Sequence, residues 1–160
     1  MTKPRTAKLV SFRLGTDYFA ADIFSVERVL RFQAPTAVPN VPEWIDGVVE
    51  YQGRVLPVVS LRRRFQLPAV AATPETRILV LKSGGEWVGV VVDAVLEVAS
   101  FDEAQLSPPP ALFRGLAGEY LRGIVRLRDH LLIFLDVERL LSSDERLTLE
   151  RVTEEALRHA

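Results

Sequence analysis

The stretch that decides the fold is Gly47–Leu61, which reads Gly-Val-Val-Glu-Tyr-Gln-Gly-Arg-Val-Leu-Pro-Val-Val-Ser-Leu. Two runs of β-favouring residues, Val48–Tyr51 and Val55–Val59, flank the short link Gln52-Gly53-Arg54. Val and Tyr suit a pleated, half-buried surface, and a glycine in a short link between two such runs indicates a β-hairpin. Because Pro57 cannot donate to a β-ladder, the second strand is expected at a sheet edge or with a bulge.

The same pattern recurs later in the chain. A shift of 76 positions places Gly47-Val48-Val49 on Gly123-Ile124-Val125, and the strand after each of them also matches. A shift of 69 positions places Gly15–Ala20 on Gly84–Gly89. Two partial repeats in the same order indicate one structural unit used twice. Chance similarity among apolar strands is the alternative.

Frequent turns between short strands predict a mainly β chain, and the two shifts favour two small barrels over one sandwich. Residues 1–8 are expected to be disordered. The first barrel is expected at about 15–68, and the second at about 76–141 together with the first strand, 9–14. The Ala- and Pro-rich stretch between them reads as a linker. Ser142 and Glu145 carry a capping-box signal, which predicts a loosely packed C-terminal helix or tail over 142–160.

Composition excludes several classes of function. Of 160 residues, 48% are hydrophobic and 26% charged, and the net charge of -1 argues against a broad attraction to nucleic acid or anionic membrane. There is no cysteine, so disulfides, thiolate metal sites and a cysteine nucleophile are excluded. No apolar run is long enough for a signal peptide or a membrane span. A cytoplasmic protein without direct membrane insertion is expected.

The residues of enzymatic chemistry are sparse. His130 and His159 are isolated, and no phosphate-binding glycine motif is present. Asp93 interrupts an apolar run and reads as a hydrogen-bonded turn acid rather than a catalytic one. The basic run Arg62-Arg63-Arg64 reads as a solvated helical turn, with a phosphate or RNA contact as the alternative. No catalytic residue, metal site or cofactor is predicted, and the remaining expectation is a module that binds proteins.

A series of short motifs resembles the CheW-like adaptor proteins of bacterial chemosensory arrays. The resemblance runs from about Leu9 to Leu141 and rests on motifs that occur in the family's order. They are Phe12-x-Leu14-Gly15 with Tyr18, Val26-x-x-Val29, Val38-Pro39-x-x-Pro42, Gly47 with Gly53 and Pro57-Val58-x-x-Leu61, Gly89-x-Val91-Val92-Asp93-x-Val95, Pro108-Pro109-Pro110, and Gly123 with the ending Leu131–Leu141.

The resemblance implies two SH3-like five-stranded β-barrels and a non-enzymatic adaptor. Such an adaptor binds the regulatory domain of a CheA-type histidine kinase and the cytoplasmic tip of methyl-accepting receptors, at arrays on the inner face of the membrane. The alternative is a divergent scaffold that binds the kinase in a pilus or gliding motility pathway, with altered or lost receptor binding. The implied kinase-binding residues are Leu112 and Phe113. The implied receptor groove comprises Val26, Arg28, Gly47, Glu50, Gln52 and Ile78.

The chain departs from the family's motif at three positions. Gln52 stands where an Arg is customary, Ser60 where an Asp is customary, and Arg28 where an acid is customary. In the family, that acid and that Arg can pair beside the receptor groove. We therefore hypothesise that Arg28 pairs with Glu50 in this chain. An exposed pair of this kind contributes only about 0–1 kcal/mol, so its effect would be on partner specificity.

Overall fold

A computed structural model describes residues 6–108 and 120–158 of the chain. Its strands and helices are mostly short, and three 3-10 turns at Ile23–Ser25, Glu103–Gln105 and Val137–Arg139 lie between them. The elements are β1 (Thr6–Leu14), β2 (Asp17–Asp22), β3 (Val26–Arg31), β4 (Ile45–Tyr51), β5 (Arg54–Val59), α1 (Leu61–Arg64), β6 (Arg77–Ser83), β7 (Glu86–Val92), β8 (Ala94–Asp102), β9 (Leu106–Ser107), β10 (Leu121–Leu127), β11 (His130–Leu135) and α2 (Ser143–Arg158). The mainly β class with a C-terminal helix is confirmed.

The strands form two SH3-like barrels. Barrel A is a six-stranded sheet in the order β8-β1-β2-β11-β10-β9, and barrel B is a five-stranded sheet in the order β3-β6-β7-β5-β4. The sixth strand of barrel A is the two-residue β9, so five strands per barrel holds for barrel B only. In each barrel one pair of strands is parallel: β11 with β2 in barrel A, and β5 with β7 in barrel B.

The barrel boundaries expected from the sequence differ from the observed ones. The strand β2 belongs to barrel A, and β6 and β7 belong to barrel B, so the divisions at 15–68 and 76–141 are wrong. The first hairpin of each repeat, β1–β2 or β6–β7, joins the sheet formed by the later strands of the other repeat. Both repeats present the same apolar alternation, and periodicity therefore identifies the unit but not the copy with which it pairs. As a result, barrel B is inserted between β2 and β8 of barrel A.

The first strand also begins earlier than expected. Thr6 pairs with Asp102 and Lys8 with Ser100, so the expected disorder of residues 1–8 is wrong for residues 6–8. The long edge strand β8 provides backbone hydrogen-bond partners for residues 6–8. The composition of residues 6–8 alone does not reveal those partners. Residues 1–5 lie outside the described residues.

Two glycines show that the repeat is structural. Gly47 and Gly123 stand at equivalent bulges, with φ of +143° and +156°. A Cβ at Gly47 would lie 2.3 Å from the carbonyl oxygen of Thr36, and one at Gly123 would lie 2.2 Å from that of Ser107. In each barrel a crossing segment passes directly over the glycine. The repeated glycine therefore has one physical cause in both copies, the close approach of another backbone.

Among residues 6–108 and 120–158, three apolar clusters form the core. One fills barrel A around Phe101 and Phe134, and one fills barrel B around Leu56 and Ile78. The third, which we call the inter-barrel core, contains residues of both barrels and of α2. Leu149 and Val152 of α2 are buried in it, so the loose packing expected for the terminal helix is wrong along this part of the helix.

Candidate functional site

The basic run of α1 is neither a solvated turn nor an exposed anion-binding patch. The side chains of Arg62 and Arg64 are 15% and 6% exposed, whereas that of Arg63 is 57% exposed. Arg62 and Arg64 each bind an internal carboxylate, of Asp93 and of Glu145 respectively. Both readings of this run offered by the sequence are therefore wrong for two of its three arginines.

Asp93 lies at the junction through which the chain returns from barrel B to barrel A. Its carboxylate accepts hydrogen bonds from Arg62 of α1 and, at 2.7 Å, from the backbone N–H of Gly15. Arg13 lies 4.0 Å away. Burial raises the pKa of Asp93, but these donors and charges outweigh it and lower the pKa overall. The interpretation of Asp93 as a hydrogen-bonded turn acid agrees with this geometry, which ties the two barrels together.

A second internal cluster fixes the start of α2. Arg64 binds the carboxylate of Glu145 and donates to the hydroxyl of Tyr120 at 3.0 Å. Its guanidinium also lies 4.8 Å from the ring centroid of Trp44. Glu145 accepts from the backbone N–H of Ser142 at 2.9 Å, while the Ser142 hydroxyl accepts from the N–H of Glu145, as a capping box requires. Burial raises the pKa of Glu145, and the Arg64 and Ser142 bonds lower it more.

A bulge in β3 separates two of the expected groove residues. Val26 pairs with Leu81 of the inter-barrel core, whereas Arg28 pairs with Val80 of the barrel B interior. Because Leu81 and Val80 are consecutive in β6, their side chains, and those of their partners, point to opposite faces. Val26 therefore borders the inter-barrel core, and the exposed Arg28 projects from the other face of the edge strand.

The hypothesised pair of Arg28 with Glu50 is not formed. The ion pairs found among residues 6–108 and 120–158 do not join these two side chains. Glu50 pairs with Val55, which packs on the inter-barrel core, so it shares a face with Val26 and not with Arg28. Their strands β3 and β4 are also the two opposite edges of the sheet of barrel B.

The remaining expected residues fall into different environments. Ile78 is 0% exposed inside barrel B, and the backbone of Gly47 is covered by Thr36, so neither offers a side chain to a partner. Gln52 is exposed in the β4–β5 turn with φ of +50°. Leu112 and Phe113 lie outside the described residues. Of the six groove residues, the structure leaves Val26, Glu50 and Gln52 on or beside one face of barrel B.

Ser60 keeps a structural task despite its departure from the family's motif. Its hydroxyl accepts from the backbone N–H of Arg63 at 3.2 Å and caps α1. Ser is as good an N-cap as Asp, so this substitution leaves the helix start intact. The departures that face solvent are therefore Arg28 and Gln52.

A surface groove of about 770 Å³ lies on this face. We call it the hairpin groove, because the β4–β5 hairpin forms one wall. The loop after β3 forms a second wall and the end of α2 forms the third. Its lining includes Val38, Pro39, Val48, Glu50, Ala156 and Leu157. Glu50 was expected from the family motif, whereas Ala156 and Leu157 were not, because their only signal in the sequence is their position at the end of an amphipathic pattern.

Within residues 6–108 and 120–158, no group of three His, Asp or Glu side chains is placed to hold a metal ion. In the same part of the chain, no helix is both long and apolar enough to cross a membrane. The described residues present paired barrels, a groove with apolar side chains and the charged residues Glu50, Arg54 and Glu155, and internal ion pairs that join the barrels. This arrangement defines a class, a two-barrel β module with an open surface groove.

Comparison with known proteins identifies the family. The model of the CheW-like domain matches residues 8–145. The chain is 36% identical to the chemotaxis protein CheW of Klebsiella aerogenes over 88% of this chain and 85% of that protein. It is 36% identical to protein FrzA of Myxococcus xanthus over 72% of this chain and 71% of that one. The crystal structure of scaffolding protein TtCheW from Thermoanaerobacter tengcongensis superposes with a TM-score of 0.80 at 29% identity, covering 88% of this chain and 96% of that one. The chain belongs to the CheW-like domain family.

Proposed function

We propose that this chain is a non-enzymatic chemotaxis scaffold that couples methyl-accepting receptors to a CheA-type histidine kinase. The observation that carries the proposal is the family match over residues 8–145, which spans both barrels. The likeness to a scaffolding protein with the same two-barrel fold supports it. The proposed location is the cytoplasmic face of the membrane, at receptor arrays.

The connection between the barrels suits a coupling role. The chain passes from barrel A to barrel B through the single 3-10 turn Ile23–Ser25 and returns through Asp93. Two such short crossings, with Asp93 bound from both barrels, restrict hinge motion between them. A scaffold that holds two partners in a fixed relative orientation needs this rigidity, because any hinge would absorb a displacement that one partner transmits to the other.

We assign the receptor contact to the face that bears Val26, Glu50 and Gln52, which are accessible or partly accessible on or beside one side of barrel B. Arg28 projects from the opposite face and is proposed to contact a partner at the edge of β3. Leu112 and Phe113 remain the proposed kinase-contact residues on the strength of the family resemblance.

The test is binding at physiological salt of the purified chain to the regulatory domain of the cognate kinase and to a receptor-tip fragment, each measured separately. Binding to both is expected, and binding to neither would overturn the proposal. Gln52→Arg, which restores the residue customary in the family, is expected to change receptor affinity and leave kinase affinity unchanged. Asn40→Arg is the matched control, because Asn40 is also an exposed residue with φ near +60°.

The second candidate is a scaffold that binds the kinase in a pilus or gliding pathway and has altered or lost receptor binding. The observation that favours it is the solvent-facing change at Arg28 and Gln52, whereas Ser60 retains its capping bond. Binding to the kinase domain alone, by the same assay, would support this candidate over the first.

A further inference from the structure

The last turn of α2 differs from the rest of the helix in how it meets barrel B. Leu149 and Val152 are buried in the inter-barrel core, and Ala156 is half-buried on the same helical face. Leu157, the next residue, is 58% exposed and lines the hairpin groove. An apolar side chain at a groove wall, with its neighbours on the helix already seated, leaves apolar surface that a partner can cover.

The protein itself shows which element fits this face of barrel B. The outer face of β5 is packed by an amphipathic helix, since α2 contacts β5 and buries residues spaced three and four apart. The hairpin groove continues that face beyond the end of α2, and Val38, Val48 and Val55 give it an apolar lining. A second amphipathic helix would find there the same kind of surface that α2 already uses.

The charges at the groove restrict the partner further. Glu50 lines the groove and is exposed, and no ion pair to it is found among residues 6–108 and 120–158. Glu155 of α2 lines the facing wall. Arg54 also lines the groove, and its guanidinium lies 4.8 Å from the ring centroid of Trp87. A helix with apolar residues toward this lining and a Lys or Arg toward Glu50 would be complementary in apolar surface and charge.

We propose that the last turn of α2 is one wall of a helix-binding groove, and that an amphipathic helix of the receptor tip, with a basic residue facing Glu50, seats against Ala156 and Leu157. This inference rests on the proposed function for the identity of the partner. It adds to that function a contact surface formed by the C-terminal helix of the scaffold.

The experiment compares two leucines of the same helix. Leu157→Glu places a charge at the groove wall, and Leu147→Glu places the same charge at a site that is 53% exposed and does not line the groove. Affinities for the receptor-tip fragment and for the kinase regulatory domain are measured for both variants and for the unaltered chain. Leu157→Ser serves as a milder change, and circular dichroism checks that α2 remains folded.

The expected result is at least a tenfold loss of receptor-tip affinity for Leu157→Glu, with kinase affinity unchanged and Leu147→Glu within twofold of the unaltered chain. Glu50→Lys is expected to lower the affinity for the receptor tip in the same way. Receptor affinity within twofold for Leu157→Glu would overturn the inference and leave the proposed function standing. A loss of affinity for the kinase domain instead would refute the receptor helix as occupant. An unaltered chain that binds no receptor tip would refute both.

Discussion

Removal of the buried guanidinium of Arg64 is expected to be among the most destabilising single changes in α1. The Arg64→Ala variant leaves the carboxylate of Glu145, which is only 23% exposed, without its cation. It also removes the bond to the Tyr120 hydroxyl and the contact with Trp44. Breaking a buried ion pair by deleting one partner costs about 3–5 kcal/mol. Because Glu145 keeps some contact with water, we expect a loss near the lower end, about 3 kcal/mol.

The assay is urea unfolding followed by tryptophan fluorescence, for which Trp44 is a direct reporter because it lies against Arg64. The matched control is Arg63→Ala in the same helical turn. Arg63 is exposed and pairs with Glu43 at 3.8 Å on the surface, so its loss is expected to cost less than 1 kcal/mol. The double variant of Arg64→Ala with Glu145→Gln is expected to recover about 1–2 kcal/mol relative to the sum of the single changes.

Two results would refute this reasoning. Equal losses for the Arg64 and Arg63 variants would show that burial does not distinguish the two arginines. Strict additivity of the Arg64 and Glu145 changes would show that the pair is not coupled. The pH dependence offers an independent check. The pKa of Glu145 is lowered from an ordinary value of 4.5, so its stabilising effect is present above about pH 4.5 and is lost as the pH falls through the lower folded pKa. The advantage of the unaltered chain over Glu145→Gln should shrink only in that acidic range.

Three further predictions concern other parts of the fold. Gly47→Ala should lower the free energy of unfolding in urea by about 3 kcal/mol, because its Cβ would meet the Thr36 carbonyl. Gly53→Ala has open space around it and should lower that free energy by about 1 kcal/mol. Equal losses for the two variants would contradict the close approach of Thr36 to Gly47. Burial and a neighbouring carboxyl of α2 raise the pKa of Glu86. Glu86→Gln should therefore raise the melting temperature at pH 7 but not below about pH 4.5, where Glu86 is protonated in both the folded and the unfolded chain. A higher melting temperature that persists in acid would show that the charge of Glu86 is not the cause. A double-mutant cycle on Arg28 and Glu50 should give additive changes within about 0.5 kcal/mol, because the side chains lie on opposite faces, and a larger coupling would contradict the observed register.

Local patterns in the sequence sufficed for features whose cause is local. The hairpin around Gly53 follows from two β-favouring runs and a glycine link, and the start of α2 follows from Ser142 and Glu145. The shift between Gly47 and Gly123 indicated one unit used twice, and the structure shows both glycines under a crossing backbone. Each of these features depends on residues within a few positions or on a pattern that repeats intact.

The candidate site depended on pairings that the sequence does not specify. One bulge in β3 turns Arg28 away from the face of Val26, and a bulge leaves no distinctive composition. Side-chain alternation in β6 sends Ile78 into barrel B. Ala156 and Leu157 line the groove because α2 packs along β5, although the two elements lie about a hundred residues apart in the chain.

By itself, the sequence determined the mainly β class, the repeated unit, the family and the hairpin at its centre, because these are encoded in local propensity and ordered motifs. Only the tertiary structure decided that the two units exchange hairpins, that Arg62 and Arg64 lie inside the protein, and which residues share a face. Those outcomes depend on which apolar surfaces meet, and in a duplicated chain each strand has two nearly equivalent partners. The choice between them is made by the packing of the whole molecule.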